Sequence, residues 1–337
     1  MSHIRVYWLT CVLTMLAISA SATTIVMPTD EQLIEKSPIV VEATAKSSGP
    51  VSLNGGIFTE THLIVTAALK GSVSGEIVVR EIGGELDGRV TKIFGTPEYI
   101  AGERVLAFLA PSPRGGYQTV DLFVGKFTAR EMLNGERFWI RDADPAEVSL
   151  LDASFKPLAI SNVQRREGEF SQYVAERAAG RPSTRNYAVE NAVPALDTNS
   201  ITEKFTLISE PSIYRWGTFD NGGSARWLSY GSQGGYANGG VSEVQTAMAA
   251  WNNYAEAKIS YTYGGTTSTH GGNVAPNGVN EVLFEDPNQE ITGSWNGRGG
   301  TVGLGGFNGV SGSANWTATF TADASHTAGS HRVVNIT

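Results

Sequence analysis

The sequence predicts an α+β chain in two halves joined by a helical linker, and three observations carry that prediction. Short apolar runs divided by Gly, Pro and Asn turns fill residues 23–150. One helical pattern stands almost alone between 151 and 200. From about 201 the order becomes strand, helix and then several strands, in a stretch that holds five of the seven tryptophans. A length of 337 residues fits two domains, and a hydrophobic share of 41% is enough for each to bury a core.

The first element reads as an export signal. Arg5 and the amino terminus supply the positive end, Val6 to Ile18 the apolar run, and Ala20-Ser21-Ala22 the small-x-small cleavage pattern. That run has 13 residues, whereas about 20 are needed to span a bilayer. Residues 1–22 are therefore expected to be removed, leaving a secreted or periplasmic chain that starts at Thr23 and has no further membrane segment. The one cysteine, Cys11, leaves with the signal, which excludes disulfides, a thiol nucleophile and Cys-ligated metal. Loss of Arg5 leaves 24 basic against 33 acidic residues, a net of −9, which argues against nucleic acid or an anionic membrane as partner.

Residues 23–150 are expected to form an all-β module. Strands are read at Ile39 to Ala45, Ile57 to Val65 after an Asn54-Gly55-Gly56 turn, Glu76 to Ile82, Arg104 to Leu109, Tyr117 to Val120, Lys126 to Thr128 and Phe138 to Ile140. The alternation in the third of these puts Ile77, Val79 and Glu81 on one face. Regular short strands favour a closed barrel or a sandwich over a helical domain, and a small OB-like barrel is the expected form.

Residues 151–200 read as a solvated linker with one helix. Ser161 is its expected cap, Val163, Phe170, Tyr173 and Val174 its apolar register, and Gly180-Arg181-Pro182 its end. Beyond 201, strands are expected at Tyr214 to Phe219 and Arg226 to Tyr230, around an Asp220-Asn221-Gly222-Gly223 turn. Ser242 and Gln245 read as a capping box for a helix with Val244, Ala247, Met248, Trp251 and Ala255 on one face. Strands follow at Ile259 to Tyr263, Val282 to Phe284, Thr301 to Leu304 and Arg332 to Ile336.

A search for chemistry yields no catalytic or metal residue. Gly309-Val310-Ser311-Gly312-Ser313 lacks the last glycine of a nucleophile elbow, and Gly125-Lys126-Phe127 is not a phosphate loop. Asp142 and Asp144 lack the partners of a calcium loop. The mature histidines are His62, His270, His326 and His331; the last two are five apart, not the four that one helical face requires, and no His-Glu-x-x-His occurs.

The stretch Val241-Ser-Glu-Val-Gln-Thr-Ala-Met-Ala-Ala-Trp251, followed by Lys258-Ile-Ser-Tyr-Thr-Tyr263, resembles the front of a metzincin catalytic domain, in particular the bacterial matrixin-like zinc endopeptidases. That family sets a helix with an Ala-Trp pair directly before its second strand, and here the pair is Ala250-Trp251. Asn280 to Phe284 resembles its third strand, Gly299 to Gly305 its edge strand and Arg332 to Thr337 its fifth. The resemblance implies a secreted zinc endopeptidase precursor acting on polypeptides, with residues 201–337 as an incomplete catalytic domain. The helix that carries the zinc histidines and the general-base glutamate would follow the fifth strand, so zinc is expected for a complete protein and this chain is expected to be inactive. Leu304 replaces the histidine that the edge strand often carries for a structural zinc. Val302, Gly303, Leu304 and Gly305 are the candidate substrate rail, because a glycine-rich edge strand lets a peptide backbone pair with it. The alternative is a non-enzymatic secreted binding or inhibitory β-rich protein.

Overall fold

The computed structural model of the protein describes residues 23–132, 135–141, 148–159, 163–190, 212–253, 259–292, 299–316 and 329–336. The expected signal segment, residues 1–22, and Asp142, Asp144, Ser161, Ala255 and His326 lie outside them, as does the side chain of His331.

The first half begins with β1 (Thr23–Val26), α1 (Asp30–Lys36), β2 (Ile39–Leu53), β3 (Gly56–Lys70), β4 (Glu76–Ile82), β5 (Gly84–Leu86) and β6 (Arg89–Ile93). It continues with β7 (Arg104–Pro111), β8 (Tyr117–Thr119), β9 (Lys126–Glu131), β10 (Arg137–Ile140) and β11 (Val148–Leu151). All seven expected strands are present. Asn54 and Gly55 both take positive φ, 50° and 88°, which gives the β2–β3 hairpin the turn its twist favours. Helix α1 is an addition to the expected all-β module: Thr29 and Gln32 close a capping box, and Leu33 and Ile34 are buried.

Strands β2, β3, β4, β8 and β7 form a ring. β2 pairs with β3 and β7, β3 with β4, and β8 with both β4 and β7. The β4–β8 contact is parallel and the other four are antiparallel. The ring encloses Val41, Ala43, Leu63, Val79, Val105 and Leu109.

The segment expected to be a solvated linker is instead part of the main core. Its elements are β12 (Val163–Arg166), α2 (Glu167–Ala178) and β13 (Ala188–Glu190). β12 and β13 extend the large sheet through β10, and Phe170 and Val174 of α2 are fully buried. Phe170 meets Phe127 at 5.5 Å, and Phe127 meets Phe108 at 5.7 Å. Burying each of these rings contributes about 1.5–3 kcal/mol, which holds the segment against the sheet. Val163 belongs to β12, not to the helix, and the helix starts at Glu167. Gly180, at φ 71°, ends it as expected.

The second half contains β14 (Ser212–Arg215), β15 (Ala225–Tyr230), α3 (Val241–Asn252), β16 (Tyr261–Thr266), β17 (Asn280–Leu283), β18 (Gly300–Gly303), β19 (Gly306–Trp316) and β20 (Gly329–Ile336). β15 lies between β16 and β17, and all three run parallel, with α3 as the crossover from β15 to β16. Ser242 does not cap α3. Gly240 is the N-cap, in the left-handed region, and Ser242 bonds Glu243. Of the expected apolar face, Met248 is buried, whereas Ala247 and Trp251 are exposed. The later strands leave this sheet: β18 pairs with β1, and β19 pairs with both β20 and β6. The halves therefore share sheets, and the described residues are predominantly β with a few helices.

Candidate functional site

The expected rail lies where the halves meet. β18 runs antiparallel to β1, with Thr24 opposite Gly303, Ile25 opposite Thr301 and Val26 opposite Gly300. The register slips between Thr24 and Ile25, which leaves Val302 as the extra residue of a bulge. β18 is also the last strand of the sheet β11-β1-β18, so among the described residues its outer margin has no strand partner.

The four rail residues separate into two pairs. Val302 is 40% exposed, and a Cβ built on Gly303 would meet nothing within 4 Å. A backbone could approach there. Leu304 instead packs against two cores, the one around Phe127 and the one around Phe58. Gly305 is held on both sides: its N–H donates to Thr23 Oγ1 at 3.2 Å, and its carbonyl accepts from Phe94 N at 3.1 Å. The structure thus brings Val302 and Gly303 to an open margin and uses Leu304 and Gly305 as anchors.

A buried ion pair fixes the start of β18. Lys36 Nζ donates to Asp121 Oδ2 at 2.6 Å and to the Gly299 carbonyl at 3.0 Å, and Thr301 N donates to Asp121 Oδ1 at 3.1 Å. Burial pushes the Asp121 carboxyl above its ordinary value, with Lys36 pulling the other way. Gly300 sits over this pair at φ 135°, where a Cβ would run into Lys36 Nζ and lie 2.9 Å from Asp121 Oδ1. Gly300→Ala is expected to cost about 2–3 kcal/mol in chemical denaturation. A loss below about 0.5 kcal/mol would show that the pair yields without strain.

A second polar cluster, unforeseen in the sequence, lies beside β1. Asp30 accepts from Arg165 Nε at 2.9 Å and from Nη2 at 2.7 Å, and from the Tyr187 hydroxyl at 3.1 Å. Arg141 and Arg165 both lie over the Phe127 ring, at 4.5 and 5.0 Å from its centroid. These residues come together from points up to 157 positions apart in the chain, so no local spacing announces them.

The described donor set does not fit a zinc centre. Among the described residues no group of three or more His, Cys, Asp or Glu side chains is placed to hold a metal ion. His62 bonds Glu60 and Glu76, and His270 bonds Asn288. Among these residues no helix is long and apolar enough to cross a membrane. Comparison with protein families, curated proteins and solved structures finds no match to this chain.

Proposed function

We propose that this chain is the front part of a secreted or periplasmic zinc endopeptidase precursor of the matrixin-like kind, in which an OB-like module restrains an incomplete catalytic domain. One observation carries the reading: the β15–α3–β16 crossover, with β17 alongside, has the strand, helix, strand, strand order that the Ala250-Trp251 resemblance implies. The five-strand ring and its single parallel contact support the OB-like module. Peptide hydrolysis by a metal-activated water needs protein ligands and an open position, and the described residues supply no such set. The reading assigns recognition and restraint to these residues, and bond cleavage to the zinc helix that the resemblance implies. Recognition would occur by strand addition at Val302 and Gly303, and restraint through β1, which holds the other margin of β18.

The coding sequence downstream of codon 337 tests this reading. It is expected to encode His-Glu-x-x-His-x-x-Gly-x-x-His, and the longer product to cleave casein until a chelator is added. Residues 23–337 by themselves are expected neither to bind stoichiometric zinc nor to cleave casein. Chelator-sensitive cleavage by residues 23–337 would mean that the site is misread. A stop codon with no such motif in any frame would favour the secreted binding or inhibitory protein instead.

A further inference from the structure

The loop 285–291 follows β17 on the way to β18, and three of its residues that are not glycine have a left-handed backbone. They are Glu285, Asp286 and Gln289, at φ 62°, 45° and 52°. Residues with side chains hold that conformation only where their surroundings impose it. Part of the hold is internal. Asp286 Oδ1 accepts from Glu290 N at 2.8 Å, and Oδ2 accepts from Ile291 N at 2.9 Å. The buried Glu290 carboxylate accepts from Asn273 N and Nδ2, both at 2.9 Å, which ties the loop to the turn around residue 273.

The rest of the hold comes from the first half. Arg114 Nη2 donates to the Asn288 carbonyl, Arg114 Nη1 to the Gln289 carbonyl at 3.2 Å, and Gln118 Nε2 to the Glu290 carbonyl at 3.3 Å. Three successive carbonyls of the loop are thus taken by two side chains of the β7–β8 hairpin. The planar fork of an arginine suits it to adjacent acceptors of this kind. Both side chains are themselves held in place. Arg80 donates to the Arg114 carbonyl at 3.2 Å, the Arg114 guanidinium lies 5.8 Å from the Phe58 ring centroid, and Gln118 is buried. Burial lowers the Arg114 guanidinium from its ordinary value, while the carboxylates of Glu290 and Asp286 pull it back up. Charge as well as hydrogen bonding therefore draws the loop to the hairpin.

We propose that Arg114 and Gln118 form a clamp through which the first half restrains the loop before β18, and that this loop changes conformation when the clamp opens. The inference rests on the reading of the first half as a restraint and supplies a contact for it. With the donors gone, the three carbonyls turn to water and the left-handed residues can leave that region. The clamp grips main-chain atoms, so it fixes the shape of the loop.

Hydrogen–deuterium exchange of the purified full chain tests the clamp. The amides of Gln289, Glu290, Ile291 and Asn273 are bonded within the loop and the turn it holds. Arg114→Ala is expected to speed their exchange at least tenfold and to leave β2, β3 and β4 as protected as before. Gln118→Leu removes one donor and keeps a side chain of similar size. It should act in the same direction at Glu290 and Ile291, and it carries the test if Arg114→Ala does not fold. Unchanged exchange at the loop in a folded variant would overturn the proposal. So would an even loss of protection across both halves, which marks a contact that holds the whole fold and restrains no single loop. This readout does not involve a zinc motif downstream of codon 337, so the clamp and the peptidase reading fail separately.

Discussion

Stability of the protein should fall by about 3–4 kcal/mol between pH 5 and pH 8.5 through one residue, and Glu81→Gln should remove that fall. Glu81 is 1% exposed, on the face of β4 that Ile77 and Val79 turn toward the ring interior. Its Oε1 accepts from Thr119 N at 2.8 Å, while Oε2 has no hydrogen-bond partner among the described residues. Burial raises the carboxyl from its ordinary 4.5 to about 8. The folded state therefore holds a proton that the unfolded state releases above pH 4.5. The resulting stabilisation is complete below pH 4.5 and is lost as pH rises through about 8. Glutamine keeps the acceptor for Thr119 N and cannot ionise. Urea denaturation of both proteins at pH 5 and 8.5 reads the difference directly, and parallel pH dependences would show that Glu81 is solvated.

Asp30→Asn should destabilise the protein by about 3–5 kcal/mol, because it strands two buried guanidiniums at once. Burial by itself would raise the Asp30 carboxyl, but Arg165 and Arg141 hold it below its ordinary value. Asparagine retains one acceptor for Arg165 and no charge. Because Arg141 shares the Asp30 carboxylate with Arg165, Arg141→Gln in the same chain should recover about 1–3 kcal/mol of that loss, a coupling that a double-mutant cycle measures by chemical denaturation. A loss under about 1 kcal/mol for Asp30→Asn would place the cluster in contact with water.

Local pattern was a good guide where one strand and its hairpin partner sufficed. Asn54-Gly55 specified its turn, and the alternation of β4 already placed Glu81 with Ile77 and Val79 on the buried face. That glutamate on an apolar face was the visible signal for the pH-sensitive group. The turn residues between 151 and 200 concealed a core element, since only Phe170 and Val174 among many polar neighbours are fully buried. In β18 the glycines marked an edge, but nothing nearby specified β1 as its partner. The Asp30 cluster was illegible for the same reason: its residues become neighbours only after the sheets assemble.

The pairing of β1 with β18 also sets an order of events for the growing chain. Thr23 and Gly305 are linked across 282 positions, and β6 waits for β19 in the same way. Contacts of such long range close large loops before they return any stabilisation, so topology of this kind folds slowly. During synthesis the N-terminal segment emerges first, with one side of β1 unpaired until residues near 300 arrive. Over that interval Ile25 and Val26, both buried in the finished protein, belong to an open strand edge that can pair with other chains. Removing either strand of the pair would leave the facing margin of the other without its partner.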